Sequence, residues 1–150
     1  MTDGSTTQPE PNGIAGWLVL PMLGTILSPV MSAFGLYQNI DALIKYSSQQ
    51  TAAWSYVVTA ETIFTIAIIV GWIVALFMLF QHKRIYPKLF VFMLAATFVL
   101  NLGDIVAVSV ILNEDPDTQS IRDIVRSLLS LAIWGPYMYL SKRVKNTFVR

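Results

Sequence analysis

Long apolar runs separated by short polar segments set the pattern of this chain. Four runs of helical length cover residues 13–36, 56–80, 89–112 and 121–140. A predominantly apolar run of about 18 residues or more is long enough to cross a bilayer as a helix. The pattern therefore predicts an all-α polytopic membrane protein with four transmembrane helices packed in a bundle.

The segment between the first two runs has a different pattern. Apolar residues with helical spacing share one side of it, namely Leu36, Ile40, Leu43 and Ile44. Polar residues occupy the other side, and an amphipathic helix of this kind lies in the membrane interface. We therefore expect a short interfacial helix between spans one and two.

Composition supports the membrane assignment. Charged residues make up 13% of the chain, about half of their usual share in soluble domains. Residues 1–12 are polar and contain Pro9 and Pro11, so we expect a flexible cytoplasmic tail there and a single membrane domain over residues 13–150.

The absence of Cys and the presence of one His argue against disulfides and a His/Cys metal site, and no metal or other cofactor is predicted.

Basic residues are distributed unevenly between the two sides of the predicted membrane domain. Seven lie in the connector between spans two and three and in the C-terminal tail: Lys83, Arg84, Lys88, Lys142, Arg143, Lys145 and Arg150. Three lie on the other side: Lys45, Arg122 and Arg126. Because short cytoplasmic loops are enriched in Lys and Arg, the chain is predicted to be a multi-pass inner-membrane protein with both termini in the cytoplasm.

Four polar residues within the spans require a partner, because ionisable groups are costly in the bilayer and usually face the interior of a bundle. Asp104 is roughly 12 Å from the outer end of its span, and Glu61 and Arg126 are each roughly 7 Å from theirs. Their similar depths predict a polar cluster in which Arg126 lies between the two carboxylates and Asn101 adds hydrogen bonds. Such a cluster either fixes the helix register as a satisfied ion pair or leaves one acid able to bind a proton or cation.

Two local features also predict contacts. Gly24, Ser28 and Ser32 are spaced four residues apart, and this small-residue stripe favours close packing within the protein over a dimer interface. Ser120 is predicted to cap the last long helix, with Asp123 three residues later.

The basic side chains outside the spans are candidates for contact with lipid headgroups or with a partner. These residues are Lys83, Arg84, Lys88, Lys142, Arg143 and Lys145. Nucleic-acid binding is not predicted, because these charges flank membrane spans and no nucleic-acid-binding motif accompanies them. The chain also lacks a nucleophile motif, a phosphate-binding Gly-rich loop and metal-spaced histidines, so we expect no catalytic residues and no enzymatic activity.

Several segments carry a resemblance to a known family. These are GWLVLP at residues 16–21, KRIYPKL at 83–89, IWGPY at 133–137 and SKRVKNTF at 141–148. They resemble the YdgK-like family of small bacterial inner-membrane proteins, which is grouped under a domain of unknown function. The resemblance implies a four-helix integral membrane protein and supplies no activity or catalytic residue.

The C-terminal motif allows two interpretations. Its aromatic and basic residues would anchor the chain at the membrane interface. Alternatively, residues 143–148 fold back onto the basic connector or dock a partner.

The sequence leads to two functional hypotheses. The first is a noncatalytic accessory or scaffold protein that acts in a membrane complex or envelope process, with the lipid bilayer and a membrane-protein partner or second copy as its contacts. The second is a small proton-linked carrier that uses Asp104 or Glu61.

Overall fold

The computed structural model describes residues 16–46, 48, 51–113 and 115–149, and within these residues the secondary structure is helical, with no strand. The α-helices are α1 (Val19–Tyr46), α2 (Ala52–Phe80), α3 (Tyr86–Val106), α4 (Thr118–Leu140) and α5 (Lys142–Thr147). A short 3-10 turn precedes α1, and a π-helical turn, Ala107–Leu112, extends α3.

Three helical segments are long and apolar enough to cross a membrane: Gly16–Lys45, Ala52–Phe80 and Tyr86–Leu112. The prediction of a helical chain is therefore confirmed for the described residues, and three candidate membrane spans agree with the prediction of a multi-pass protein. The fourth predicted span does not qualify on composition, because Arg122, Asp123 and Arg126 occupy the first turns of α4.

Helix α1 is continuous, so the prediction of a separate interfacial helix is wrong. The amphipathic residues 36–44 form the last turns of α1, and an ion pair between Lys45 Nζ and Asp41 Oδ2 at 2.8 Å lies on its final turn. Helical spacing is the same whether a helix continues or a new one begins, so spacing alone could not locate a break. A helix of 28 residues extends about 42 Å, which exceeds the hydrocarbon core of about 30 Å.

The connector between α2 and α3 is a tight turn. The backbone N–H groups of His82 and Lys83 donate to the carbonyls of Leu79 and Met78, at 3.1 and 3.2 Å. His82 adopts a positive φ of 52°, and this pair of bonds closes a helix end around a left-handed residue. Pro87 follows in the first turn of α3, where a missing N–H has no cost.

Helices α1 and α2 pack as one antiparallel hairpin, and α3 and α4 pack as another. Contacts between α2 and α3 join the two hairpins. This order places the connector 82–88 and the C-terminal segment at one end of the molecule, which we call the basic end. Asp115 and Asp117, which precede α4, lie at the opposite end, which we call the acidic end.

The apolar core lies towards the basic end. Its buried side chains come from all four long helices or the residues that flank them: Leu18, Trp72, Ala75, Leu79, Tyr86, Phe90, Met93, Met138, Val144 and Phe148. The rings of Trp72 and Phe90 meet edge to face, with centroids 5.8 Å apart. The basic end is therefore the closely packed part of the described structure.

The predicted small-residue stripe on α1 does not provide a close helix contact at Gly24. A Cβ atom added there would meet no neighbouring atom within 4 Å, and Gly24 is exposed. The close contact occurs instead at Gly71 of α2, where an added Cβ would lie 2.6 Å from Sδ and Cε of Met93. Helix α3 thus packs against α2 at a point where a glycine leaves room for a buried methionine.

Candidate functional site

A cluster of polar side chains lies towards the acidic end, where the helices bring together residues that are distant in the sequence. Glu61 of α2 and Asp104 of α3 are close enough for their charges to repel. The side chain of Asn39, on α1, faces the Glu61 carboxylate. Both acids are half-buried. We call Asn39, Glu61, Asn101, Asp104 and Ser120 the acidic-end cluster.

Helix α4 contributes to this cluster through hydrogen bonds with α3. The Ser120 hydroxyl donates to Oδ2 of Asp104 over 3.4 Å. Asn101 Nδ2 donates to the Asp123 carbonyl and to the Ser127 hydroxyl, both at 3.3 Å. These bonds fix the register of α4 against the last turns of α3.

Arg126 does not take the position predicted for it between the carboxylates. Its side chain is exposed, and it makes no ion pair with Glu61, Asp104 or any other residue that the structure describes. The neighbouring Ser127 occupies the face of α4 that packs on α3. One residue corresponds to a rotation of about 100° around a helix, so Arg126 points away from that face. The sequence showed similar depths but did not reveal which face of α4 would be covered.

Two members of the cluster could not be assigned to it from the sequence. Asn39 was attributed to an interfacial helix, and it reaches Glu61 because α1 continues without a break. Ser120 was predicted to be the helix cap, but Asp117 caps α4 by accepting from the Ser120 backbone N–H at 2.7 Å. The Ser120 hydroxyl instead binds Asp104.

The end of α3 is irregular directly after Asp104. A π-helical turn covers Ala107–Leu112, and Asn113 closes it with a φ of 55°. The Asn113 backbone N–H donates to the Val108 carbonyl, and such π-turns often occur at functional sites. The sequence carried no signal for this turn.

The side chains of the acidic-end cluster limit which ligands it can hold. No three His, Cys, Asp or Glu side chains within the described part of the chain converge to hold an ion. The cluster contains two carboxylates, amides and a hydroxyl, which can hold a proton or hydrogen-bond a polar group.

At the basic end, the C-terminal segment folds back onto the connector between α2 and α3. The ring centroid of Phe148 lies 4.7 Å from that of Tyr86 and 6.2 Å from that of His82. Ser141 caps α5, since its hydroxyl accepts from the Val144 backbone N–H. The hypothesis that residues 143–148 fold back onto the connector is therefore confirmed.

This folding brings most of the basic residues to one end of the molecule. Five of the predicted lipid or partner contacts have exposed side chains: Lys83, Arg84, Lys88, Lys142 and Lys145. Arg143 is half-buried because it packs beside Gly16, where an added Cβ would lie 3.1 Å from Arg143 Nη1. Gly16 has a φ of 60°, so a side chain at this position would also strain the backbone.

Comparison with known proteins places the chain in a family but provides no characterised relative. No curated protein and no solved structure is similar enough to match it. Residues 11–149 match the family described as "Protein of unknown function (DUF2569)". This match includes both the acidic-end cluster and the folded-back C-terminal segment. The chain therefore belongs to the DUF2569 family.

Proposed function

We propose that the chain is a YdgK-like bacterial inner-membrane protein with a four-span bundle, and that it acts as a noncatalytic scaffold in a membrane complex or envelope process. The observation that carries this proposal is the construction of the basic end. There the start of α1, the α2–α3 connector and the C-terminal segment are packed together beneath an exposed set of lysines and arginines.

The path of α4 supports its assignment as a fourth span. One end lies beside the end of α3, where Ser120 contacts Asp104, and Met138 at its other end belongs to the core of the basic end. Its 23 residues extend about 35 Å, enough for a core of about 30 Å. Four crossings return the chain to its starting side, in agreement with the contact of Arg143 with Gly16. The basic residues assign that side to the cytoplasm.

Cysteine labelling tests this topology, because the natural chain contains no Cys. In intact cells, a membrane-impermeant maleimide should label Asp115→Cys, and it should label Lys142→Cys only after the membrane is opened. Labelling of both variants from the same side would overturn the fourth crossing.

A rigid, charged cytoplasmic face suits docking better than transport. Side chains that seal the basic end are almost completely buried: Leu18 is 1% exposed, Leu79 and Tyr86 are 0%, and Met138 is 2%. A carrier must open this end during its cycle, which would separate these contacts. A scaffold keeps them and presents the exposed basic residues to an acidic surface of a membrane-protein partner.

Cross-linking in native membranes, followed by purification, tests the scaffold proposal. The wild-type chain should retain a stoichiometric protein partner, and the variant Lys83→Gln/Arg84→Gln/Lys88→Gln should lose it. The matched control is Lys45→Gln near the opposite end, which should retain the partner. Equal recovery with the triple variant, or no partner with the wild type, would contradict the proposal.

The alternative is a proton-linked carrier, and one observation favours it. Glu61 and Asp104 are neighbours without a basic partner among the described residues, and an uncompensated acid at membrane depth is a candidate for proton binding. In proteoliposomes with an imposed pH gradient, a carrier would move protons with its solute. If the protein is a carrier, Asp104→Asn would abolish this movement without unfolding the protein. If it is a scaffold, neither the wild-type chain nor Asp104→Asn would move protons.

A further inference from the structure

The exposed face of α4 carries a shallow groove with two arginines at one end. The groove has a volume of about 430 Å³, and α4 alone lines it. Arg122 and Arg126 lie one helical turn apart near its start, with Val125 between them and the apolar residues Leu129, Ile133 and Trp134 beyond them. The face is thus cationic near the acidic end and apolar along the remainder of its length.

Neither arginine is neutralised within the described part of the protein. Both side chains are exposed, and neither makes an ion pair with a described residue. Asp123, the acid nearest in sequence, accepts instead from the Gln119 side chain at 3.1 and 3.2 Å. The opposite face of α4 already binds α3 through Asn101 and Asp104. The two guanidinium groups therefore remain available to a ligand outside the chain.

From these observations we infer that the α4 groove binds one anionic phospholipid, whose phosphate contacts Arg122 and Arg126 and whose acyl chain lies along the apolar part. This inference rests on the proposal that α4 crosses the membrane. A guanidinium group offers a rigid fork of N–H donors that matches phosphate oxygens, and two such groups one turn apart can hold one headgroup.

The dimensions of the groove fit a lipid of one leaflet. Arg122 and Trp134 are separated by twelve residues, or about 18 Å along the helix. One leaflet contributes about 15 Å of the hydrocarbon core. A phosphate at the arginines therefore places the acyl chain beside Val125, Leu129 and Ile133, which are 49%, 55% and 58% exposed.

Charge and shape together favour this occupant over a neutral transmembrane helix of a partner. A neutral transmembrane helix would cover the apolar part but would leave two guanidinium groups unpaired near the bilayer surface. An anionic phospholipid satisfies both parts of the face at once. It would occupy the leaflet opposite the basic end, so it is distinct from any lipid bound by Lys83, Arg84 or the C-terminal segment.

Native mass spectrometry of the full chain tests the inference. The protein is released from nanodiscs that contain equal amounts of dioleoyl phosphatidylglycerol and dioleoyl phosphatidylcholine. The wild-type chain should retain one phosphatidylglycerol molecule in preference to phosphatidylcholine, and Arg122→Gln/Arg126→Gln should retain it about tenfold less. The control Lys45→Gln removes an exposed basic residue that lies outside the groove, so it should behave like the wild type.

Three results would overturn the lipid site. These are equal retention by the arginine variant, equal retention of both lipids by the wild type, and a lipid-free dimer that depends on the two arginines. The cysteine-labelling experiment separates this failure from failure of the fourth span. If Asp115→Cys and Lys142→Cys label from opposite sides of the membrane, α4 crosses it. The mass-spectrometry result then tests the lipid site alone.

Discussion

The ring of Phe148 stacks against the ring of Tyr86, with centroids 4.7 Å apart and planes inclined by 33°. Phe148 follows the last helix and is only 3% exposed, and Tyr86 begins α3. This contact attaches the end of the chain to the turn between α2 and α3. The C-terminal segment is therefore part of the core of the basic end.

Replacing Phe148 by Ala should destabilise the protein by about 3–5 kcal/mol, because the change leaves a cavity against Tyr86 and His82. Thermal unfolding in detergent, followed by circular dichroism, measures the loss. The neighbouring Val149 is 54% exposed, so Val149→Ala is the matched control and should change stability little. Equal effects of the two variants would show that the packing of the segment contributes little.

The buried hydrogen bond between Tyr86 and Thr25 should show an asymmetric response to substitution. The Thr25 hydroxyl donates to the Pro21 carbonyl at 2.9 Å, so the Tyr86 hydroxyl donates to Thr25 Oγ1 at 2.8 Å. Tyr86→Phe removes one donor and should cost about 1 kcal/mol, whereas Thr25→Val leaves a buried donor without an acceptor and should cost about 1–3 kcal/mol.

A double-mutant cycle by thermal unfolding checks this difference. The combined variant should be less destabilised than the sum of the two single variants, because it leaves no unpaired donor at Tyr86. Additive effects would contradict the assigned direction of the bond.

Gly71 should accept a side chain only if Met93 shifts, because Met93 fills the space beside it. Gly71→Ala places a Cβ 2.6 Å from the end of a methionine side chain that is itself only 3% exposed. We expect a loss of about 1–3 kcal/mol from overpacking. Gly103 of α3 has open space around it, and Gly103→Ala should stabilise the helix by about 0.5–1 kcal/mol.

Unfolding midpoints of the two alanine variants in the same detergent give the comparison. Shortening Met93 should restore part of the stability of Gly71→Ala, since it removes the atoms that clash. Indistinguishable midpoints for Gly71→Ala and Gly103→Ala would refute the close approach of α3 to α2.

The repulsion between Glu61 and Asp104 should make neutralisation of either acid stabilising. Asp104→Asn keeps an oxygen that can accept from Ser120 and removes one of two neighbouring charges. Removing the repulsion between the two carboxylates should increase the free energy of unfolding by about 1 kcal/mol. This would raise the unfolding temperature by about 2–4 °C at neutral pH. The exposed Asp115 supplies the control Asp115→Asn, which should leave that temperature unchanged. A decrease for Asp104→Asn would indicate that a positive group neutralises the pair.

Asp117 should make the start of α4 sensitive to acid. The hydrogen bond from the Ser120 backbone N–H lowers the pKa of Asp117 below its ordinary value of about 3.9. A lowered pKa in the folded state means that the stabilising effect is present above the unfolded pKa and is lost as pH falls through the folded pKa.

The unfolding midpoint of the wild-type chain should therefore fall between about pH 5 and pH 2 by more than that of Asp117→Asn. Asn is an equally good cap residue and does not titrate, so it isolates the charge from the hydrogen bond. Parallel pH profiles for the two chains would exclude a role for the Asp117 charge.

The sequence by itself determined the helical class and several candidate membrane spans, and it offered the attachment of the tail to the connector as one of two interpretations. Apolar runs of bilayer length have few other stable conformations, because the backbone of a lipid-exposed segment must satisfy its own hydrogen bonds. The GWLVLP, KRIYPKL and SKRVKNTF segments all carry residues of the basic end, and their packing places Leu18, Tyr86, Val144 and Phe148 in one core.

Only the tertiary structure decided which polar residues meet. Asp104 lies close enough to Glu61 to influence its charge, whereas Arg126 lies on the exposed face of α4 and Asn39 arrives from a continuous α1. Depth follows from counting residues along a helix, whereas the direction of a side chain depends on the rotation of that helix against its neighbours. That rotation is set by contacts such as Asn101 with Ser127, which join residues of two helices and leave no periodic signal in either one.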